Sequence, residues 1–168
     1  LAQAGVEVVV IERGDYPGAK NVTGGRLYVN PVRQYLPDIW DEAPLERYVS
    51  NELLTLMSPD NSTTIRFRSE KFNRPPYQSY TVLRATFDRW LASRAEAEGA
   101  MMVTKNLVED IIKENGRVIW VVAGGEELGA DVVIACDGVL SLIAEKAGLR
   151  SPGDPRNYAV GLKEVIEL

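Results

Sequence analysis

The sequence predicts an α/β fold, a parallel sheet covered by helices with an antiparallel meander beside it, and three stretches carry that prediction. Residues 6–13 (Val-Glu-Val-Val-Val-Ile-Glu-Arg) form a short, almost continuous apolar run rich in β-branched side chains. At that length the run reads as a strand, and apolarity on both faces fits the inside of a parallel sheet. Residues 84–98 repeat apolar side chains at Phe87, Leu91 and Ala95, with Trp90 on the same face, and stop at Gly99; this is an amphipathic helix. Asn115-Gly116 stands between two apolar runs, the strongest short-range hairpin signal.

In chain order, residues 1–5 are the last turn of a helix with Gly5 as its cap. The strand that follows ends on Glu12. In a dinucleotide-binding βαβ unit the second strand ends in an acid that binds the ribose, roughly 20 residues after a glycine-rich turn. Glu12 stands where that acid belongs, and the glycine turn is not in this sequence. The other reading of the run is an ordinary core strand with a solvated end. Residues 13–25 are rich in glycine and turn formers without a period, which makes them a loop. Its glycines let a backbone approach a flat ligand or a phosphate, and Lys20 and Asn21 add a charge and an amide; a plain surface loop is the alternative.

Residues 26–48 read as a short strand or turn and then a helix opened by Pro31, with Pro37 interrupting its period. Residues 52–57 and 63–68 pair as an antiparallel hairpin across the turn formers 59–62. A bend at Pro75-Pro76 leads to a short strand at 80–83. Arg84 then precedes the first turn of the long helix, where a guanidinium reaches a phosphate held at a helix N-terminus or simply flanks the helix in solvent. Residues 101–103 are a short strand. Residues 107–113 and 118–122 are the hairpin about Asn115-Gly116, and Glu127-Leu128 opens a third strand after Gly124-Gly125. Residues 130–135 are a second buried strand, ended by Cys136-Asp137-Gly138. Residues 139–147 are a helix capped by Gly148, 151–157 a loop, and 158–168 alternate like another strand.

Composition narrows the chemistry. The 168 residues carry a net charge of −5, which argues against nucleic acid as the main partner. Cys136 is the single cysteine, so an internal disulfide and a four-cysteine iron–sulfur site are excluded. There is no histidine, which removes a Ser-His-Asp triad, a Cys-His pair and a histidine zinc site. Redox chemistry would need a bound cofactor. No apolar run approaches the length of a membrane span and no leader pattern opens the sequence. A cytoplasmic location is expected, with peripheral contact at the inner face of the cell membrane left open.

A strand ending in Glu, a glycine loop, an arginine before an amphipathic helix, a meander and a strand ending in Asp-Gly follow one another in this order. That order resembles the FAD-binding half of the flavoprotein class that includes aromatic hydroxylases and geranylgeranyl reductases. The wording is closest to the FixC family, relatives of electron-transfer-flavoprotein–quinone oxidoreductase. Val9-Val10-Ile11-Glu12-Arg13-Gly14 and Gly18-Ala19-Lys20-Asn21-Val22-Thr23-Gly24-Gly25-Arg26-Leu27-Tyr28 carry the likeness. So do Val82-Leu83-Arg84-Ala85-Thr86-Phe87-Asp88-Arg89-Trp90-Leu91 and Cys136-Asp137-Gly138. The resemblance implies a partial FAD-binding Rossmann-like domain of the glutathione reductase/hydroxylase type over residues 1–150, with a hairpin excursion near 50–83. It implies a linker and the first strand of a substrate- or quinone-side domain over 151–168.

The resemblance also implies roles. Glu12 binds the adenosine ribose of FAD, with Arg13 beside it. Lys20, Asn21, Gly24 and Gly25 run along the flavin. Arg84 contacts the pyrophosphate or ribityl region, Val103 passes near the adenine, and Asp137 serves the second, Asp-Gly fingerprint. The implied activity is electron transfer from an electron-transfer flavoprotein, through FAD, to a ferredoxin-like protein or a quinone. A flavin monooxygenase or geranylgeranyl reductase-like enzyme shares Glu12, Arg84 and Asp137 but not the wording of 20–25, and a non-catalytic α/β module with a lost flavin site is the reading of a different class. Without the glycine fingerprint and the later half of the family pattern, the 168-residue piece is expected to bind FAD weakly or not at all, to be inactive alone, and to be open to pairing as a homodimer.

Overall fold

The structure is a computed structural model that describes residues 1–21, 23–162 and 164. It divides into two compact units, one of Leu1–Ala19 with the chain from Ala95 on, the other Lys20–Arg94.

In the first unit, a single 3-10 turn at Ala2–Ala4 ends on Gly5, which takes the left-handed conformation expected of a cap. Strand β1 follows at Val9–Ile11, shorter than the run that predicts it. It pairs in parallel with a strand at Met101–Val103, Val9 opposite Met101 and Ile11 opposite Val103. The parallel pair is therefore present, but Val6, Val9 and Val10 are exposed where an interior strand was expected. Only one edge of β1 has a partner among the described residues, so neither face is enclosed as in a full sheet.

The second unit begins with β2, Gly24–Tyr28, so Gly24 and Gly25 stand in a strand rather than in the predicted loop. Helix α1 is one turn, Asn30–Arg33, with Pro31 in its first turn as predicted but without the length. Strands β3, Asn51–Met57, and β4, Ser62–Arg68, form the expected hairpin. Its register pairs Leu54 with Ile65, Leu56 with Thr63 and Glu52 with Phe67 on one face. The other face carries Leu53 opposite Arg66 and Thr55 opposite Thr64. Leu54, Leu56, Ile65 and Phe67 are all exposed; apart from the Phe72 ring, 5.5 Å from that of Phe67, this apolar face of the hairpin lies open among the described residues. Strand β5, Ser79–Leu83, pairs antiparallel with β2 and runs directly into helix α2, Arg84–Ala97.

The core of this unit is Val29, Trp40, Val82 and Phe87, with Leu27, Ile39, Tyr80 and Trp90 packed around it. Leu27 and Tyr80 face each other across β2 and β5, as do Gly25 and Val82, so one face of the ladder looks into the core. On α2 the buried stripe runs through Phe87 and Trp90, whose rings lie 5.6 Å apart. Leu91, expected on that stripe, is exposed instead: the core meets α2 on the three-residue ridge and not on the four-residue one.

Back in the first unit, β6 is the Met101–Val103 strand already paired with β1. A meander of β7, Val108–Glu114, β8, Arg117–Ala123, and β9, Glu126–Gly129, follows. The turn between β7 and β8 puts both Asn115 and Gly116 at positive φ, the conformation that this dipeptide adopts most readily. Helix α3, Leu142–Ala147, starts three residues later than predicted because residues 137–141 fold into a turn, with Ser141 N–H and Oγ both on the Gly138 carbonyl. It is tied to β7 by an ion pair from Lys146 to Asp110 at 3.2 Å. The Ile111 N–H and the Lys146 ammonium hold the Asp110 carboxyl below the usual carboxylate range.

Two predicted strands are not found among the described residues. Residues 130–135 pair with no strand, and Val132 and Ile134 are exposed. Cys136, expected at the end of this buried strand, is exposed with them. Residues 158–162 are not in a strand either, and 163 and 165–168 lie outside the described residues. Both segments have the right alternation or apolarity but form no ladder among the described residues: in 130–135 only the Ala130 N–H reaches a strand backbone, at the Ile119 carbonyl of β8 (3.0 Å), and a strand exists only as a member of a ladder.

Phe87→Ala should cost about 3–5 kcal/mol, the usual loss for an aromatic removed from a packed core, read as a fall in the urea midpoint of unfolding. Leu91→Ala, at an exposed position, should cost less than about 1 kcal/mol.

Candidate functional site

The parallel pair positions Glu12. Its N–H donates to the Val103 carbonyl at 2.8 Å, and its own carbonyl accepts from Asn106 N–H at 3.1 Å. Those bonds fix the backbone at the carboxyl end of β1, the end where open parallel sheets bind ligands. The half-buried side chain curls over the next loop, and Oε1 accepts from Gly14 N–H at 2.6 Å. Gly14 is buried, and a Cβ there would lie 3.0 Å from Glu12 Oε1 and 3.1 Å from the Ala19 Cβ. A side chain at residue 14 would crowd the carboxylate and force its neighbours to shift, so glycine suits this closure. Oε2 has no partner among the described residues.

Around Glu12 the other predicted residues of this unit are unequal. Val103 is brought to it directly, through the carbonyl that its N–H uses. Arg13 is exposed and makes no hydrogen bond or ion pair among the described residues. Asp137 is committed elsewhere: Oδ2 accepts from Ile143 N–H at 2.7 Å, satisfying one of the free donors at the start of α3. It shares no hydrogen bond with Glu12 or Val103.

In the other unit, Asn21 and Arg84 meet at a residue not singled out from the sequence. Arg84 Nε and Nη2 donate to the two oxygens of Asp88 at 2.7 and 3.0 Å, and Asn21 Nδ2 donates to Oδ2 at 2.8 Å. Arg84 is thus neither free in solvent nor unaligned; a bidentate fork fixes its plane. The spacing of four between Arg84 and Asp88 is a readable signal on a helix. Lys20 is exposed and has no such partner among the described residues.

Gly24 and Gly25 stand opposite Leu83 and Val82 at the end of β2. They form one wall of an open cleft of about 380 Å³, whose other lining residues are Glu46, Arg47, Thr81, Val82 and Leu83. Glu46 and Arg47 are held there by the free edge of β5. Glu46 N–H donates to the Thr81 carbonyl at 3.0 Å, Thr81 N–H donates to the Arg47 carbonyl at 2.7 Å, and Arg47 N–H donates to Thr81 Oγ1 at 3.1 Å. A Cβ placed on Gly25 would touch only Thr23 Cγ2, at an ordinary 3.7 Å. Among the described residues, packing does not require glycine at 25. Sequence reading missed Glu46, Arg47 and Thr81, because nothing local marks a pair formed across 34 residues.

The mixed α/β chain matches structures of FAD-dependent oxidoreductases and hydroxylases over part of their length, and this is the class of protein that the fold defines. A geranylgeranyl bacteriochlorophyll reductase-like protein from Thermoplasma acidophilum superposes with a TM-score of 0.74 at 27% identity, covering 93% of this chain and 39% of that one. Residues 41–153 match the family model described as tryptophan halogenase. Over all of its residues the chain is 44% identical to FixC of Salmonella typhi and 42% identical to YdiS of Escherichia coli K12, described as a probable electron transfer flavoprotein-quinone oxidoreductase. The chain belongs to the family of that model and, by identity along its whole length, to the FixC and electron-transfer-flavoprotein–quinone oxidoreductase family. It spans 39% of the length of these relatives. No helix among the described residues is long and apolar enough to cross a membrane.

Asp88→Ala should lower stability by about 1–2 kcal/mol, the sum of a partly exposed ion pair and one hydrogen bond. A double-mutant cycle with Arg84→Ala should return a coupling of about 0.5–1 kcal/mol. Additivity in urea unfolding would show that the two side chains act independently.

Proposed function

We propose that the full-length protein is an FAD-dependent oxidoreductase that takes electrons from an electron-transfer flavoprotein and passes them to a ferredoxin-like protein or a quinone. The observation that carries the cofactor part is Gly25: a strand glycine that packing does not require, on the wall of an open cleft. The description of the YdiS relative as a probable electron transfer flavoprotein-quinone oxidoreductase supports the flavoprotein donor and the quinone acceptor. FAD, when bound, supplies the hydride and single-electron chemistry that a chain without histidine lacks.

The chain's residues then do the holding. Glu12, with its carboxylate fixed by Gly14 N–H, accepts the ribose hydroxyls, and Val103 lines the adenine side through its backbone. Arg13 stays at that end as a solvated charge. Asn21, Gly24 and Gly25 approach the flavin side, with Lys20 adding a positive charge. Arg84, its plane set by Asp88, donates to the pyrophosphate or ribityl oxygens. Asp137 acts through α3, whose first turn it caps. Residues 1–150 are read as the partial FAD-binding domain and 151–168 as the passage into the substrate or quinone side.

A second reading, a reductase like the Thermoplasma protein, has the structural likeness in its favour. Mixing the oxidised full-length protein with NADPH or with a reduced electron-transfer flavoprotein separates the two. Bleaching of the flavin by the flavoprotein alone supports the first reading, and bleaching by NADPH supports the second.

Glu12→Ala should weaken FAD binding to the full-length protein by about 1–3 kcal/mol, the scale of a charge-assisted hydrogen bond. Gly25→Val should reduce FAD uptake while leaving the melting temperature of the apoprotein nearly unchanged. Both are read by flavin fluorescence titration, and wild-type affinity in both variants would remove the site.

A further inference from the structure

Arg47 differs from its neighbours in having nothing to hold. Arg26 pairs with Glu52 at 2.6 Å, Arg84 with Asp88 at 2.7 Å and Arg94 with Glu42 at 2.9 Å. The Arg47 side chain makes no hydrogen bond, ion pair or ring contact with any described residue, yet Arg47 lines the cleft faced by Gly24 and Gly25. Its backbone is not free to drift. Bonds to Thr81 hold both its N–H and its carbonyl, and on either side Glu46 N–H is bonded to the Thr81 carbonyl and Val49 N–H to the Ser79 carbonyl at 3.1 Å. A guanidinium with five donors is therefore carried on a fixed backbone at the edge of an open cleft.

The cleft pairs this cation with an acid and a flat floor. Leu83 and the two glycines give a side-chain-poor wall over the backbone of Val82, and Glu46 is a lining residue next to Arg47. A planar ring with an imide edge, two carbonyl oxygens flanking an N–H, matches that set. The pyrimidine side of a flavin has this edge. Two-electron reduction of a flavin with uptake of one proton leaves a negative charge on that side of the ring, and a guanidinium beside it binds the reduced form more tightly than the oxidised one.

We propose that Arg47 is the residue that sets the redox preference of this cleft, donating to the carbonyl edge of a flavin seated against Gly24 and Gly25. The inference rests on the FAD reading of the cleft. It makes Arg47 a tuning residue, whose charge acts on the cofactor and leaves the chain's own fold alone.

The test uses the full-length protein loaded with FAD, as wild type, Arg47→Gln and Arg47→Lys. Two quantities are measured: the dissociation constant of oxidised FAD, by fluorescence, and the two-electron midpoint potential, by spectroelectrochemical titration. Arg47→Gln should bind oxidised FAD within about threefold of wild type but lose about tenfold of the preference for the reduced form, which moves the potential about 30 mV more negative. Arg47→Lys should recover most of that shift, since it keeps the charge. Melting of the three apoproteins should coincide, because the Arg47 side chain has no partner among the described residues to lose. An unchanged potential in Arg47→Gln overturns the proposal and leaves the FAD reading standing. A wild-type protein that takes up no FAD overturns both.

Discussion

Strand β5 is bonded along both of its edges, and the second unit depends on that. Tyr80 and Val82 stand opposite Leu27 and Gly25 of β2, while Ser79 and Thr81 bond to residues 46–49 on the other side. A strand held on both sides cannot shift register without breaking two sets of bonds, and one residue of slip would turn every side chain to the wrong face. Val82 would leave the core and Thr81 would enter it. The glycine pair, the Arg47 backbone and the start of α2 are thus placed by a single five-residue strand, which needs no pattern of its own beyond alternation.

Charge is handled by commitment. Exposed ion pairs contribute little to stability, so Arg84–Asp88 is better understood as an orienting device than as a brace. Asp88 is the less exposed partner, and it also receives Asn21 from the loop before β2. One carboxylate thereby aligns a helix-start arginine and ties down a loop rich in glycine. Glu12 is arranged in the opposite sense. Its carboxylate is oriented by a neutral backbone donor, Gly14 N–H, and no cation among the described residues pairs with it.

What the sequence made legible was what is local. The β3–β4 hairpin, the Asn115-Gly116 turn and the caps at Gly5, Gly99 and Gly148 all follow from residues within a few positions of one another. The parallel pairing of β1 was legible as well, through its apolar run, though not the exposure of Val9 and Val10. Residues 130–135 and 158–162 show the limit. Their composition suits a strand, but composition supplies no neighbouring strand, and beyond single bonds such as Ala130 N–H to the Ile119 carbonyl no ladder forms among the described residues. Leu91 was misplaced because a helix with apolar residues at both three and four positions has two candidate stripes, and only the packing partner chooses. Among the candidate residues, Glu12 was singled out by its place at a strand end and Arg84 by its place at a helix start. Arg47 was not, since its place comes from Thr81, far along the chain.

The distance in sequence between β2 and β5 has a consequence for the order of assembly. β3 and β4 are separated by a four-residue turn and can close within microseconds of being made. β2 must wait until residues 79–83 exist, which means closing a loop of about 50 residues whose entropy is repaid only at the end. On a ribosome the hairpin emerges and folds while Gly24 and Gly25 are still unpaired chain. The wall that they form is then among the last parts of its unit to take shape, and it exists only once Val82 and Phe87 have joined the core. A cofactor that selects this wall would bind finished molecules and pass over nascent ones, so that loading itself sorts complete chains from incomplete ones.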